Sequence, residues 1–164
     1  MKLSRINGSE LVGFAGAAIL LGSLWLNWFS TSCDAQGRPL GCNGNSTIHG
    51  MQGSFDAFQT YSILRWLLVA AADEPFVLAY IIARGHELTW RPGEITMIVG
   101  MVAFVLILVN GIVFGRPGDN SSTRVQIALQ PGYFVGLGGA LLIALGGFLR
   151  QAKSVRSRKP PGVM

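Results

Sequence analysis

Four stretches of this chain, roughly residues 11 to 29, 57 to 83, 95 to 115 and 132 to 149, are long and almost free of charge. A helix needs about 20 apolar residues to cross a hydrocarbon core about 30 Å thick. The expectation is an all-α membrane protein, a bundle of four transmembrane helices making one domain over residues 1–150. External loops would cover 30–56 and 116–131, and a basic cytoplasmic tail 151–164. Composition agrees. Of 164 residues half are apolar and 13% charged, where a soluble domain carries about a quarter.

The first stretch follows Lys2 and Arg5 as a signal peptide would. Its apolar core runs on to "LNWFS" and meets no small-residue cleavage site, so a retained helix is expected. Orientation follows from Lys and Arg in the short connections. Lys2, Arg5, Arg84, Arg91, Arg150, Lys153, Arg156, Arg158 and Lys159 fall on one side, and only Arg38, Arg116 and Arg124 on the other. Both termini and the middle loop are therefore read as cytoplasmic.

Cys33 and Cys42 both lie in the first external loop, within "CDAQGRPLGC". A pair on the oxidising side reads most simply as a disulfide. Closing so short a ring is worth about 2–3 kcal/mol in the chain-entropy picture. A thiol oxidoreductase would need a tighter reactive pair and usually a second one. The rest of these loops is rich in Gly and other turn residues, while "TRVQIALQPG" alternates apolar and polar residues as a short strand does. A small external cap with short β-pairings, pinned by the disulfide, is expected. Asn45 and Asn120 open glycosylation-like triplets that arise readily by chance.

"SRINGSELVGFAG" and "TWRPGEITMIVG" share arginine, glycine, glutamate and a glycine six residues after the glutamate. Asn27 and Asn110 follow at nearly the same distance. Two helical hairpins in parallel repeat would explain this. So would the preference for a carboxylate in a helix's first turn. Small residues also recur every fourth position: Gly132, Gly136, Ala140 and Ala144, then Gly111 with Gly115, and Ala18 with Gly22. In lipid, close backbone approach across such stripes holds helices together. Packing within the chain is preferred here over a dimer face.

The polar residues inside apolar runs are the candidates for chemistry. Counted as continuous helix from Asp56, Arg65 lies about 13 Å deep. A central arginine costs about 2.5–3.5 kcal/mol on insertion scales, so it marks a ligand site or a buried strut. Donation to carbonyls, to Asn27 or Asn110, or to a carboxylate is preferred, because one unaccompanied arginine makes a poor relay. Trp66 beside it is placed to stack on it. The other aromatics, Trp25, Trp28, Phe29 and Trp90, read as markers of the membrane boundary. Asp73, Glu74 and Pro75 fit a helix restart near the cytoplasmic interface, or one proline-kinked helix. Interface acids are preferred over ion-coupling acids.

His49 and His86 stand alone, whereas zinc wants about four convergent ligands. No metal or other cofactor is expected. The tail residues Arg150, Lys153, Arg156, Arg158 and Lys159 suit anionic lipid head groups, each worth about 1 kcal/mol near such a surface. Orientation already accounts for the charge, so no nucleic-acid partner is expected.

"LGSLWLNWFS", "FDAFQTYSILRWLLVAAA" and "LQPGYFVGLGGALLIALGGFLR" together resemble a group of small, uncharacterised four-helix membrane proteins of actinobacteria. That resemblance covers most of the spans and implies a fold and a bacterial inner membrane, but no activity. Asn27 stands where that group usually has proline, and the Cys33–Cys42 loop is not general to it. The architecture is also similar to that of claudins, although their Gly-Leu-Trp before the cysteines is missing. No nucleophile, base or metal constellation converges, so an enzyme is not expected. The expectation is an accessory or assembly subunit of a larger plasma-membrane complex. The alternative is a small transporter or lipid-handling protein using Arg65 in a cavity between helices.

Overall fold

A computed structural model of the chain describes residues 8–31, 48–49, 53–85, 90–113 and 127–156, with side chains of the last helix described as far as Lys153. The molecule is mostly helical. In chain order the elements are α1 (Gly8–Ser23), β1 (Asn27–Thr31), β2 (Ser54–Asp56), the single turn α2 (Ala57–Thr60), α3 (Leu64–Ala83), α4 (Pro92–Leu108) running into a π-helical turn (Val109–Val113), β3 (Ile127–Leu129) and α5 (Pro131–Arg156). Three helices are long and apolar enough to cross a membrane: Leu64–Ala83, Pro92–Val113 and Pro131–Lys153. α1 is apolar but has only 16 residues.

The first charge-free stretch is thus divided. Its helix ends at Ser23, and the residues that would have completed it become a turn and then β1. The ending has local causes. Ser23 Oγ bonds back to the Leu20 carbonyl at 2.6 Å, and the indole N–H of Trp28 takes the Ser23 carbonyl at 2.6 Å. Trp28 and Phe29 are fully buried rather than placed at a membrane boundary. Trp and Phe suit a pleated, half-buried surface, and here they have strands on both sides. β1 is the centre of a three-stranded antiparallel sheet of order β2-β1-β3. Phe29 lies opposite Phe55 on one side and Leu129 on the other. Part of the alternating "TRVQIALQPG" therefore is a strand.

The second stretch is also broken. Asp56 caps α2 by accepting from the Gln59 amide at 2.7 Å, and the chain turns through Tyr61–Ile63 before α3 begins. α3 itself continues through Asp73, Glu74 and Pro75 without restarting. A buried proline removes one helical hydrogen bond, and the small residues Ala71 and Ala72 lie on the turn before it.

α5 is the middle of the bundle, with α1 on one side and α4 on the other; α3 lies against α1 and α4. The contact is backbone to backbone. A Cβ built on Gly16 would stand 2.7 Å from the Ile143 nitrogen, on Gly139 2.6 Å from the Leu20 nitrogen, and on Gly146 2.6 Å from the Gly13 nitrogen. On the α4 side, Gly93 and Gly100 press on Gly147 and Ala144 in the same way. Close packing of this kind is what holds helices where apolar burial offers no net drive. Apolar side chains that a soluble protein would hide cover the outside, among them Met101, Val105, Ile112, Phe134, Leu141 and Phe148. So broad an apolar exposure fits a lipid-facing belt.

Candidate functional site

The two ends of the bundle differ in chemistry. At the end carrying the sheet, aromatic side chains dominate. Tyr133 is fully buried and packs edge-on to Trp28, with centroids 5.7 Å apart. Its hydroxyl donates to the Ile107 carbonyl at 2.8 Å, and that of Tyr61 to the Asn110 carbonyl at 2.9 Å. Asn110 lies in the π-helical turn and Ile107 just before it, where the ladder changes spacing. Gly111 lies directly against the Tyr133 ring, so any side chain there would meet the phenol. Asn110 itself donates to the Leu106 carbonyl one turn back, at 2.9 Å.

Arg65 belongs to this end. Because the chain breaks before Leu64, Arg65 sits in the first turn of α3 rather than deep in an unbroken helix. The depth counted from Asp56 therefore does not apply. Its guanidinium donates to the Phe58 carbonyl at 2.6 Å and lies 5.5 Å from the Trp66 ring centroid. Its Nε is buried with no partner. Asn27 is exposed at the start of β1, opposite Asp56, and not on a helix.

The other end, where α1 begins and α5 finishes, gathers ionisable groups from α1, α3, α4 and α5. Arg150 of α5 pairs with Glu10 of α1 at 3.1 Å. Gln151 donates to Glu94 of α4 at 3.2 Å, and Arg91 lies 3.9 Å from the same carboxylate. Thr96 of α4 donates to Oε1 of Glu74 at 3.0 Å. The second oxygen of Glu74 is buried and has no partner, and neither has the hydroxyl of Ser9. Ser9, Glu10, Thr96 and Arg150, with Pro75 and glycines of α1 and α5, line a cleft of about 20 Å³. That is room for about one water. Asp73, next to Glu74, is exposed.

Two features of the sequence meet here. The glutamates of the repeated motif, Glu10 and Glu94, flank consecutive residues of α5, and the glycines six residues after them, Gly16 and Gly100, are both close-approach positions on α5. The correspondence stops at the asparagines, one in a strand and the other in the π-helical turn. Ser9 and Thr96 carry no sequence signal. A lone Ser or Thr on a helix says nothing until its burial is known.

The helix-packing candidates fall as follows. Gly132 lies against the Asn27 carbonyl and Trp28, and Gly136 against Trp28 and Ser23. Ala140 and Ala144 are buried beside Gly100. On α1 the close positions are Gly13 and Gly16; Ala18 is exposed and Gly22 faces open space. Lys153 is exposed at the end of α5, where the helix runs on to Arg156. Cys33, Cys42, Gly115, Arg158 and Lys159, the two glycosylation-like triplets and His86 lie outside the described residues, as does the side chain of Arg156. Among the described residues no three His, Cys, Asp or Glu side chains group to hold a metal. No family model, curated protein or solved structure matches the chain.

Proposed function

We propose that the chain is a non-enzymatic integral membrane protein acting as an accessory or assembly subunit of a larger plasma-membrane complex. The observation that supports this most is the close packing along α5. Along α5 the backbones of α1 and α4 approach until no Cβ fits, and the cleft at the terminal end has room for about one water. Among the described residues, helices packed in this way offer other molecules their outer faces and the sheet. The resemblance to small actinobacterial four-helix proteins leads to the same setting, a bacterial inner membrane with α1 crossing as a fourth span. In that setting both termini are cytoplasmic, and Arg150, Lys153, Arg156, Arg158 and Lys159 lie near anionic head groups. A Cys33–Cys42 disulfide would pin the external cap. Affinity capture of the full chain in mild detergent, followed by mass spectrometry, is the test. Stoichiometric recovery of a second membrane protein is expected, and recovery of this chain alone overturns the reading.

One observation favours a second reading. Arg65 retains a buried donor, its Nε, without a partner, and an anionic lipid head group could engage it. A transporter or lipid-handling protein of this kind would lose phospholipid binding in Arg65→Lys as well as in Arg65→Ala. If Arg65 is purely structural, neither substitution changes phospholipid binding.

A further inference from the structure

We propose that Glu74 is a proton-binding site within the bundle, loaded from the cleft that Ser9 lines. This goes beyond the subunit reading and does not depend on it. Glu74 has one oxygen satisfied by Thr96 at 3.0 Å and one buried without a partner. A bare carboxylate oxygen among apolar helices is unfavourable as the anion and much less so as the acid.

Charge counting leads the same way. From α5, Arg150 faces the site, but it is engaged by Glu10 of α1 at 3.1 Å. That pair is already neutral. From α4, Glu94 is matched by Arg91 and accepts from Gln151, and on α3 itself Asp73 is exposed. Asp73 being solvated outside, an ionised Glu74 adds a buried negative charge beyond the two ion pairs, and a protonated Glu74 adds none.

A route is also present. Ser9 is only 4% exposed, its hydroxyl has no partner, and it lines the same cleft as Thr96, the residue bonded to Glu74. The cleft has room for about one water and reaches Thr96, the partner of Glu74, and Pro75, its neighbour. A hydroxyl can pass a proton because it both donates and accepts.

The full chain, reconstituted in lipid nanodiscs, is treated with dicyclohexylcarbodiimide, an apolar reagent that adds to protonated carboxyls. Modification is quantified by mass spectrometry at Glu74 and at its exposed neighbour Asp73. At neutral pH Glu74 is expected to be modified at least about tenfold more than Asp73, and its own modification should fall as pH rises. Infrared spectra should carry a protonated-carboxyl band that Glu74→Gln removes. Equal modification of the two residues, pH-independent modification, or no such band would overturn the proposal. So would suppression by sodium at fixed pH, which would make the ligand a metal cation. Capture experiments that find no partner protein leave these readouts unaffected.

Discussion

The sheet end and the terminal end of the bundle solve the problem of buried polarity in opposite ways. At the sheet end each buried aromatic donor named above ends on a backbone carbonyl: Trp28 on Ser23, Tyr61 on Asn110, Tyr133 on Ile107. Among the described residues there, Arg65 Nε alone is left over. At the terminal end the partners are ions and side-chain hydroxyls, and both Ser9 and Glu74 keep unspent hydrogen-bonding capacity. Satisfied rings rigidify. Unspent capacity is what a changeable site requires, and it is found where helices meet through glycine and leave a gap beside them.

The contrast can be broken from either side. Trp28→Ala should have the largest effect, costing about 3–5 kcal/mol as large aromatic truncations in packed cores do. Circular dichroism during unfolding in detergent measures it, and a small loss would mean the sheet end is not a core. Next comes Gly139→Leu, which forces a Cβ onto the α1 backbone and should cost about 1–3 kcal/mol or more. Gly138→Leu on the same helix points into open space and should stay within about 0.5 kcal/mol. Equal losses in the two variants would refute backbone contact as the cause. Tyr133→Phe removes one hydrogen bond and should cost about 1 kcal/mol, seen as a shifted midpoint with the fold retained. The smallest change sharpens the comparison at the other end. Glu10→Gln releases Arg150 toward Glu74, and carbodiimide modification of Glu74 should then fall about threefold, as for a partly exposed ion pair. No fall would mean that Arg150 does not reach Glu74.

Hydropathy is a local property, and the apolar helices and the strand at Ile127–Leu129 could be read from it. β1 could not. A short apolar run such as "LNWFS" has the same pattern as a helix end or a buried strand, and its partners Phe55 and Leu129 are remote in sequence. The depth of Arg65 failed for a related reason: a count in residues assumes an unbroken helix, and the turn at Tyr61–Ile63 has no strong breaker to announce it. In the candidate site, Glu74 stood out as a charge in an apolar run. Ser9 and Thr96 did not, because their significance comes entirely from helices that pack beside them. The repeated glutamates lay between these cases, visible as a pattern whose meaning required α5 between them.

The brevity of α1 has a consequence for any bilayer around the molecule. Sixteen helical residues rise about 24 Å, several Å less than a typical hydrocarbon layer of about 30 Å. The exposed Trp25 and Leu26 that follow make up part of the shortfall. Were α1 to cross as a fourth span, the remainder would fall on the lipid, thinning it along that flank beside the membrane-length α4 and α5. Such a lopsided hydrophobic mismatch would favour thinner membranes, or a neighbouring protein that shares the same thin flank.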